Sequence, residues 1–425
     1  MKNLKETIYL NKQRALYLVL IFIVFFALYA YCGIKLGETK AFEGINLLFE
    51  LDCPLVIDDM TAPQANHYRT NVHPLYVIFF NPFGSFLKNI VQSKILAATL
   101  INSFTGALGV FLTSIFFLFF TKNYFNSLLF GCLFGLSASQ FFFGVIPETF
   151  SANTVSLILT YLLFFLCLLR KKVYFLAWIL AGVFTFGMLI TNFIQTLILF
   201  VIVIFKIYKK KNTGLSKTFT IFVYLALVGW ICTVLAIIQK ILYPTSGLFF
   251  MAASIKDEFK FLKFDVFEKP LLIISQVFRY FFWSNFIAPM PKTKIIGSGI
   301  VKCVAGGVGD YGYLGWLASF VGSVFLVAGI REFLKRLKEK EIFYAGIFLC
   351  ILFNFLLHIF YGIGDIYNTS TFIYTANFTF LIFILYVSGY ICTKKLLARV
   401  FLIILAILLG MNNLVVFSNI VQAFK

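Results

Sequence analysis

Residues 170–211 read RKKVYFLAWILAGVFTFGMLITNFIQTLILFVIVIFKIYKKK, and the fold turns on how this stretch divides. Between the basic cluster of Arg170, Lys171 and Lys172 and that of Lys206, Lys209, Lys210 and Lys211 lies an uncharged run of 33 residues, 173–205. A helix crossing about 30 Å of hydrocarbon needs near 20 residues, so this run is too long for one ordinary span. Polar Thr191, Asn192 and Gln195 stand near its middle. Basic residues beside membrane segments favour the cytoplasmic side, and both clusters reach that side only if the run crosses twice. The stretch therefore reads as two short helices.

Working outward, nine further uncharged runs are long enough to cross: 15–34, 95–121, 123–147, 149–169, 218–239, 311–330, 342–364, 366–393 and 400–423. The expected fold is an all-α polytopic membrane protein of about eleven transmembrane helices, one integral domain over 1–425. Composition agrees, since 61% of the 425 residues are hydrophobic and only 12% are charged, where soluble domains carry roughly a quarter. Disorder is excluded as well, because 57 Phe and 21 Tyr demand burial.

A net charge of +19 would suggest nucleic acid in a soluble protein, but here it sorts by topology. With the N-terminus inside, 21 of the 36 basic residues fall in short inner segments, among them Lys2, Lys5, Lys12, Arg14, Lys122, Lys217, the 331–340 group, Lys394, Lys395 and Arg399. The N-terminus is expected in the cytoplasm and the C-terminus outside, with the first span an uncleaved anchor. Six of the eight cysteines lie in or beside apolar runs as small hydrophobes. Cys53 and Cys303 share the outer side and could pair there, although free thiols are the expected state. No CxxC, HExxH or His-rich pattern points to a metal, and no repeat of 20 to 50 residues recurs.

Two extracytoplasmic loops are long, 35–94 and 240–312. The first packs Asp52, Asp58, Asp59, His67, Arg69 and His73 into 22 residues. In an extended segment the adjacent Asp58 and Asp59 would point to opposite sides, one toward a cavity as a general base or metal ligand, the other to solvent or a helix cap. His73 opens HPLYVIFFNPF, an apolar stretch broken by Pro82 that suits a re-entrant helix, where its ring could donate to a phosphate or cap the segment. Arg69 could pair with the acids or hold a lipid phosphate. Glu148, in Pro147-Glu148-Thr149 between two spans, is a lone acid at membrane depth and a functional candidate; an N-terminal helix charge is the plainer reading. In the second loop, KDEFKFLKFDVFEK (256–269) alternates Phe259, Phe261, Leu262, Phe264 and Phe267 with charges, as an interfacial segment does. Arg279 follows in an apolar stretch that the charge pattern forbids from spanning, where it snorkels to headgroups or meets a substrate phosphate. Asp310 and Asp365 read as structural acids, and His358 as a core residue.

The inside N-terminus, single first span, acidic first outer loop with Asp58-Asp59 and NHYRTNVHPLY, short second outer loop with Pro147-Glu148-Thr149, and LAGVFTFGMLITN at 180–192 resemble the GT-C superfamily of membrane glycosyltransferases. That resemblance covers about the first half of the chain. It implies an inverting transfer of sugar from a polyprenyl-phosphate donor to a glycan, lipid or protein acceptor on the extracytoplasmic face of the cell membrane. Asp58 or Asp59 would be the base, Arg69, His73 and Arg279 would face phosphate, and Glu148 would bind substrate or a divalent metal. Glu148 lacks the neighbouring acid of the metal-dependent oligosaccharyltransferases. No other cofactor and no nucleic-acid partner is expected. The competing readings are an O-antigen-type polymerase or ligase, which would concentrate Arg and His in later loops, and a lipid or polysaccharide transporter, which would carry ionisable residues inside its spans.

Overall fold

The computed structural model describes residues 12–208, 216–262, 267–296, 300–361, 369–393 and 396–425. Lys2, Lys5, Lys209, Lys210, Lys211, Phe264, Asp365, Lys394 and Lys395 lie outside them. The chain is an all-α polytopic membrane protein. Among the described residues eight helices are long and apolar enough to cross a membrane, and the bent pair Tyr124–Leu136 and Ala138–Val145 makes a ninth if taken as one span.

In chain order the helices are α1 (Lys12–Gly37), α2 (Cys53–Thr61), α3 (Tyr76–Val91), α4 (Lys94–Thr121), α5 (Tyr124–Leu136), α6 (Ala138–Val145), α7 (Phe150–Arg170) and α8 (Phe175–Met188). There follow α9 (Phe193–Ile207), α10 (Lys217–Leu242), α11 (Ala252–Glu258), α12 (Pro270–Arg279), α13 (Tyr313–Lys338), α14 (Ile342–Phe360), α15 (Thr379–Thr393) and α16 (Leu396–Ala423). The hairpin β1 (Lys292–Ile296) and β2 (Ile300–Val304) is the one sheet among the described residues.

Local chemistry sets the helix ends. Ser93, Asn123 and Ser216 each accept a backbone N–H two or three residues into the helix that follows, satisfying donors that a helix start leaves open. The 33-residue run divides at its polar middle: α8 stops at Met188, a 3-10 turn takes Ile190–Asn192, and α9 starts at Phe193. Three tight turns carry lysine in the left-handed backbone region, at Lys122 (φ 55°), Lys171 (φ 51°) and Lys340 (φ 57°).

Helix contacts rest on small residues and uncharged polar groups, as expected where lipid removes most of the hydrophobic drive. A Cβ on Gly329 of α13 would lie 1.9 Å from the Leu385 carbonyl, so α13 and α15 touch backbone to backbone. Asn413 of α16 receives the Ala288 N–H and donates to the carbonyls of Leu136 and Phe286. Gln195 donates to Asn192, Asn354 and the Asn377 carbonyl. His358 is buried in α14 against the rings of Phe281, Tyr374 and Phe378, the core position expected.

Two local expectations change. Asp58 and Asp59 lie in the helix α2, not in an extended segment, so about 100° of helical turn separates them. Pro82 does not break the HPLY stretch, because α3 continues through it to Val91. α2 and α3 clasp closely: Asn81 donates to the Asp59 carbonyl at 2.8 Å, and a Cβ on Gly84 would sit 2.0 Å from the Met60 oxygen. Cys53 and Cys303 are both buried free thiols.

Candidate active site

The first long loop is held at one end of the bundle by backbone contacts from far along the chain. Lys40 N–H reaches the Phe424 carbonyl at 3.3 Å, so the C-terminal end of α16 lies beside it. Cys303 of β2 donates to Leu47 and accepts from Phe49, and Lys302 approaches Glu50 at 3.3 Å. Between these ties, Asn46, Phe49 and Glu50 all take positive φ (61°, 52° and 63°). Non-glycine residues in that region cost of order 1–3 kcal/mol each, and such strain gathers at functional sites.

Asp52 follows directly. It stands at the N-cap of α2, makes no side-chain cap bond, and so leaves its carboxylate free for another partner. That partner is Arg69, whose Nη1 lies 2.7 Å from Asp52 Oδ2. Nη2 of Arg69 lies 3.7 Å from Glu148 Oε2. Glu148, in the bend between α6 and α7, accepts the Asp52 N–H at 2.9 Å through Oε1 and the Thr149 N–H at 3.1 Å through Oε2. One guanidinium thus faces two carboxylates from separate parts of the chain. Glu148 is buried, whereas 29% of the Asp52 side chain remains exposed, so the cluster opens outward through Asp52.

Burial raises the Glu148 carboxyl above its usual range, with Arg69 pulling it back down and Asp52 adding to the rise. Burial alone would lower the Arg69 guanidinium, but attraction from Glu148, Asp52 and Asp59 more than offsets it and Arg69 is held charged.

Asp59 belongs to a second layer behind the cluster. Its Oδ1 lies 2.6 Å from His67 Nδ1, with both side chains buried. The other ring nitrogen of His67 faces the Pro63 carbonyl at 3.3 Å, which can only accept, so Nε2 carries a proton and a second proton lies between Nδ1 and Oδ1. Burial raises the Asp59 carboxyl, against the lowering pull of His67 and Arg69. Asp58 turns the other way, to Lys94 at 2.8 Å on an exposed surface.

His73 has a different task from phosphate donation. Its Nδ1 donates to the Met188 carbonyl at 2.5 Å, fixing the α8–α9 break against the loop. Burial, reinforced by the charge of Arg69, lowers its pKa to about 3. The ring is neutral, its one N–H is taken, and its remaining nitrogen can accept but not donate. Gln239 at the end of α10 completes the frame, donating to the Pro74 carbonyl and accepting the Ile78 N–H.

The structure therefore unites Asp52, Arg69 and Glu148, sets Asp59 with His67 and then His73 behind them, and turns Asp58 away. Arg279 is in none of these contacts. It lines a separate cavity with Trp283 and Trp316. Asp310 binds Lys292 at 2.8 Å and the Gly307 N–H, a structural role.

A divalent metal does not fit the cluster. No group of three or more His, Cys, Asp or Glu side chains converges among the described residues, and the positive charge between Asp52 and Glu148 is Arg69 itself. No family model matches the chain, and no curated protein or solved structure proves similar to it.

Proposed function

We propose that the chain is a membrane glycosyltransferase that moves a sugar from a polyprenyl-phosphate donor to an acceptor hydroxyl, with the first long loop on the extracytoplasmic face. The observation that carries this reading is the partly open Asp52–Arg69–Glu148 cluster at one end of an apolar bundle. Eleven crossings of the cell membrane with the N-terminus cytoplasmic and the C-terminus extracytoplasmic complete it, in keeping with the basic turns opposite the cluster.

Asp52 is the base in this reading. Asp59 is shut in with His67 and Asp58 pairs with Lys94, while Asp52 has exposed carboxylate surface beside the cluster. The acceptor oxygen attacks the anomeric carbon as its proton passes to Asp52, and the anomeric C–O bond to phosphate breaks with its electron pair leaving on the phosphate. Such a leaving group is stable as an anion and needs no strong acid. Two carboxylates about one guanidinium also suit the positive charge that grows on the sugar ring at the transition state. Arg69 acts as a positioning residue here, since both its faces are already occupied by carboxylates.

Mass spectrometry of surface glycans and lipid-linked sugars, from cells with and without the gene, tests the reading. A sugar missing from the glycan, with its lipid-linked form accumulating, supports transfer. Accumulation of a complete undecorated repeat unit would indicate a polymerase or ligase. Unaltered glycans and lipid-linked pools would refute it.

A further inference from the structure

A cavity of about 430 Å³ opens between α12 and the first turns of α13, lined by Arg279, Trp283, Tyr311, Trp316, Ser319 and Phe320 among others. Two of its polar groups lack hydrogen-bond partners. The Arg279 guanidinium lies over the Tyr280 ring at 4.4 Å, its Nε is buried without a hydrogen-bond partner, and no carboxylate is within ion-pair distance of it among the described residues. Asp310, the acid that approaches the same Gly307 backbone, is already held by Lys292 and the Gly307 N–H. Ser319 on α13 is 7% exposed and its hydroxyl also has no partner. The rim is apolar and open, with Phe320 73% and Trp316 51% exposed.

A buried guanidinium nitrogen and a buried hydroxyl without hydrogen-bond partners are costly at the edge of a bilayer, and a charge-assisted bond to an anion relieves both. The exposed aromatic rim calls for hydrocarbon. One molecule that meets both demands carries phosphate oxygens on a lipid tail. No acid on this wall is left to receive an ammonium, so a choline or ethanolamine headgroup would lack its counter-charge.

We propose that this cavity binds the phosphodiester of an anionic glycerophospholipid, gripped by Arg279 and Ser319, with an acyl chain along Phe320 and Phe278. The site is separate from the Asp52–Arg69–Glu148 cluster and does not depend on the reading given to that cluster. It holds no carboxylate positioned as a base, so its lipid is a bound partner and not a reactant.

The four tryptophans offer a direct probe, because Trp283 and Trp316 line the cavity while Trp178 and Trp230 do not. The full chain carrying Trp178→Phe and Trp230→Phe is placed in phosphatidylcholine nanodiscs, and its fluorescence is read as brominated phosphatidylglycerol or brominated phosphatidylcholine is added at equal small mole fractions. Phosphatidylglycerol should quench several-fold more strongly, Arg279→Gln should abolish that preference, and Ser319→Ala should weaken it. Equal quenching by the two lipids, or an undiminished preference in folded Arg279→Gln, overturns the proposal. So does relief of quenching by unbrominated polyprenyl phosphate at lower concentration than by unbrominated phosphatidylglycerol, which would make the cavity a donor site.

Discussion

Glu148 accepts a hydrogen bond from the backbone N–H of Asp52 at 2.9 Å, across 96 positions of sequence. The same carboxylate approaches Arg69, so one buried acid fixes both the backbone that presents Asp52 and the cation that faces it. Position and charge at the cluster are therefore coupled through a single side chain.

Glu148→Ala leaves Arg69 with one partner fewer and the Asp52 N–H without its acceptor. Breaking a buried pair from one side typically costs about 3–5 kcal/mol. The variant should lose that order of stability in detergent or nanodisc unfolding. Glu148→Gln, which keeps an acceptor oxygen, should lose distinctly less.

The raised Glu148 carboxyl gives a sign to the pH dependence. Its folded pKa lies above the ordinary value of 4.5, so between the two values the folded state holds more proton than the unfolded state. Its contribution to stability is full below 4.5 and lost as pH rises through the folded pKa. The buried Asp59 acts in the same direction. The melting temperature should fall as pH rises through this window, and Glu148→Gln should flatten the slope. A slope unchanged in Glu148→Gln would show that the acid is not the source.

Among the three aspartates on and before α2, replacement should separate roles. Asp52→Asn should cost a factor of about a hundred or more in turnover, as loss of a general base does. Asp58→Asn should leave transfer near normal, and Asp59→Asn should show first as lower stability, because it disturbs the buried 2.6 Å hydrogen bond to His67. Restoration of the glycan in cells lacking the gene, set against protein level for each variant, provides the reading. Full activity in Asp52→Asn would remove the base assignment.

Arg69→Lys should be poorly tolerated. A guanidinium spans two carboxylates at 2.7 and 3.7 Å with separate nitrogens, and an ammonium is a single point. A double-mutant cycle on Arg69 and Glu148 should return a coupling of roughly 1–3 kcal/mol. A value near zero would mean the 3.7 Å approach carries no energy.

Topology can be checked with single cysteines and an impermeant reagent. Because Lys40 bonds to the Phe424 carbonyl, Asn66→Cys and Lys425→Cys should label from the same side. Lys338→Cys, at the far end of α13, should label from the other. Opposite labelling of Asn66→Cys and Lys425→Cys would contradict the packing itself.

The helices were legible because a bilayer imposes length and apolarity, and even the break near Thr191 and Asn192 could be read from polar residues inside an over-long run. The loop at 52–73 was legible as the place to look, since charge and histidine crowd there. Which aspartate faces Arg69 was not. That depends on α2 being helical from Cys53, which turns Asp59 inward and Asp58 outward, and on the left-handed backbone at Asn46, Phe49 and Glu50 that aims Asp52. No local pattern announces either, and the pairing of Asp52 with Glu148 is a contact between distant segments. His73 misled for a similar reason, because its partner is a carbonyl 115 residues away.

Lys122, Lys171 and Lys340 occupy backbone positions where glycine would sit with less steric conflict, by roughly 1 kcal/mol each. Under the orientation proposed above, these same lysines carry part of the charge that tells the insertion machinery which way to thread the chain. Replacing them with glycine would make the finished protein harder to melt and the nascent one easier to insert upside down. Selection for heat tolerance in the laboratory and selection for faithful insertion in the cell would therefore drive these three turns in opposite directions.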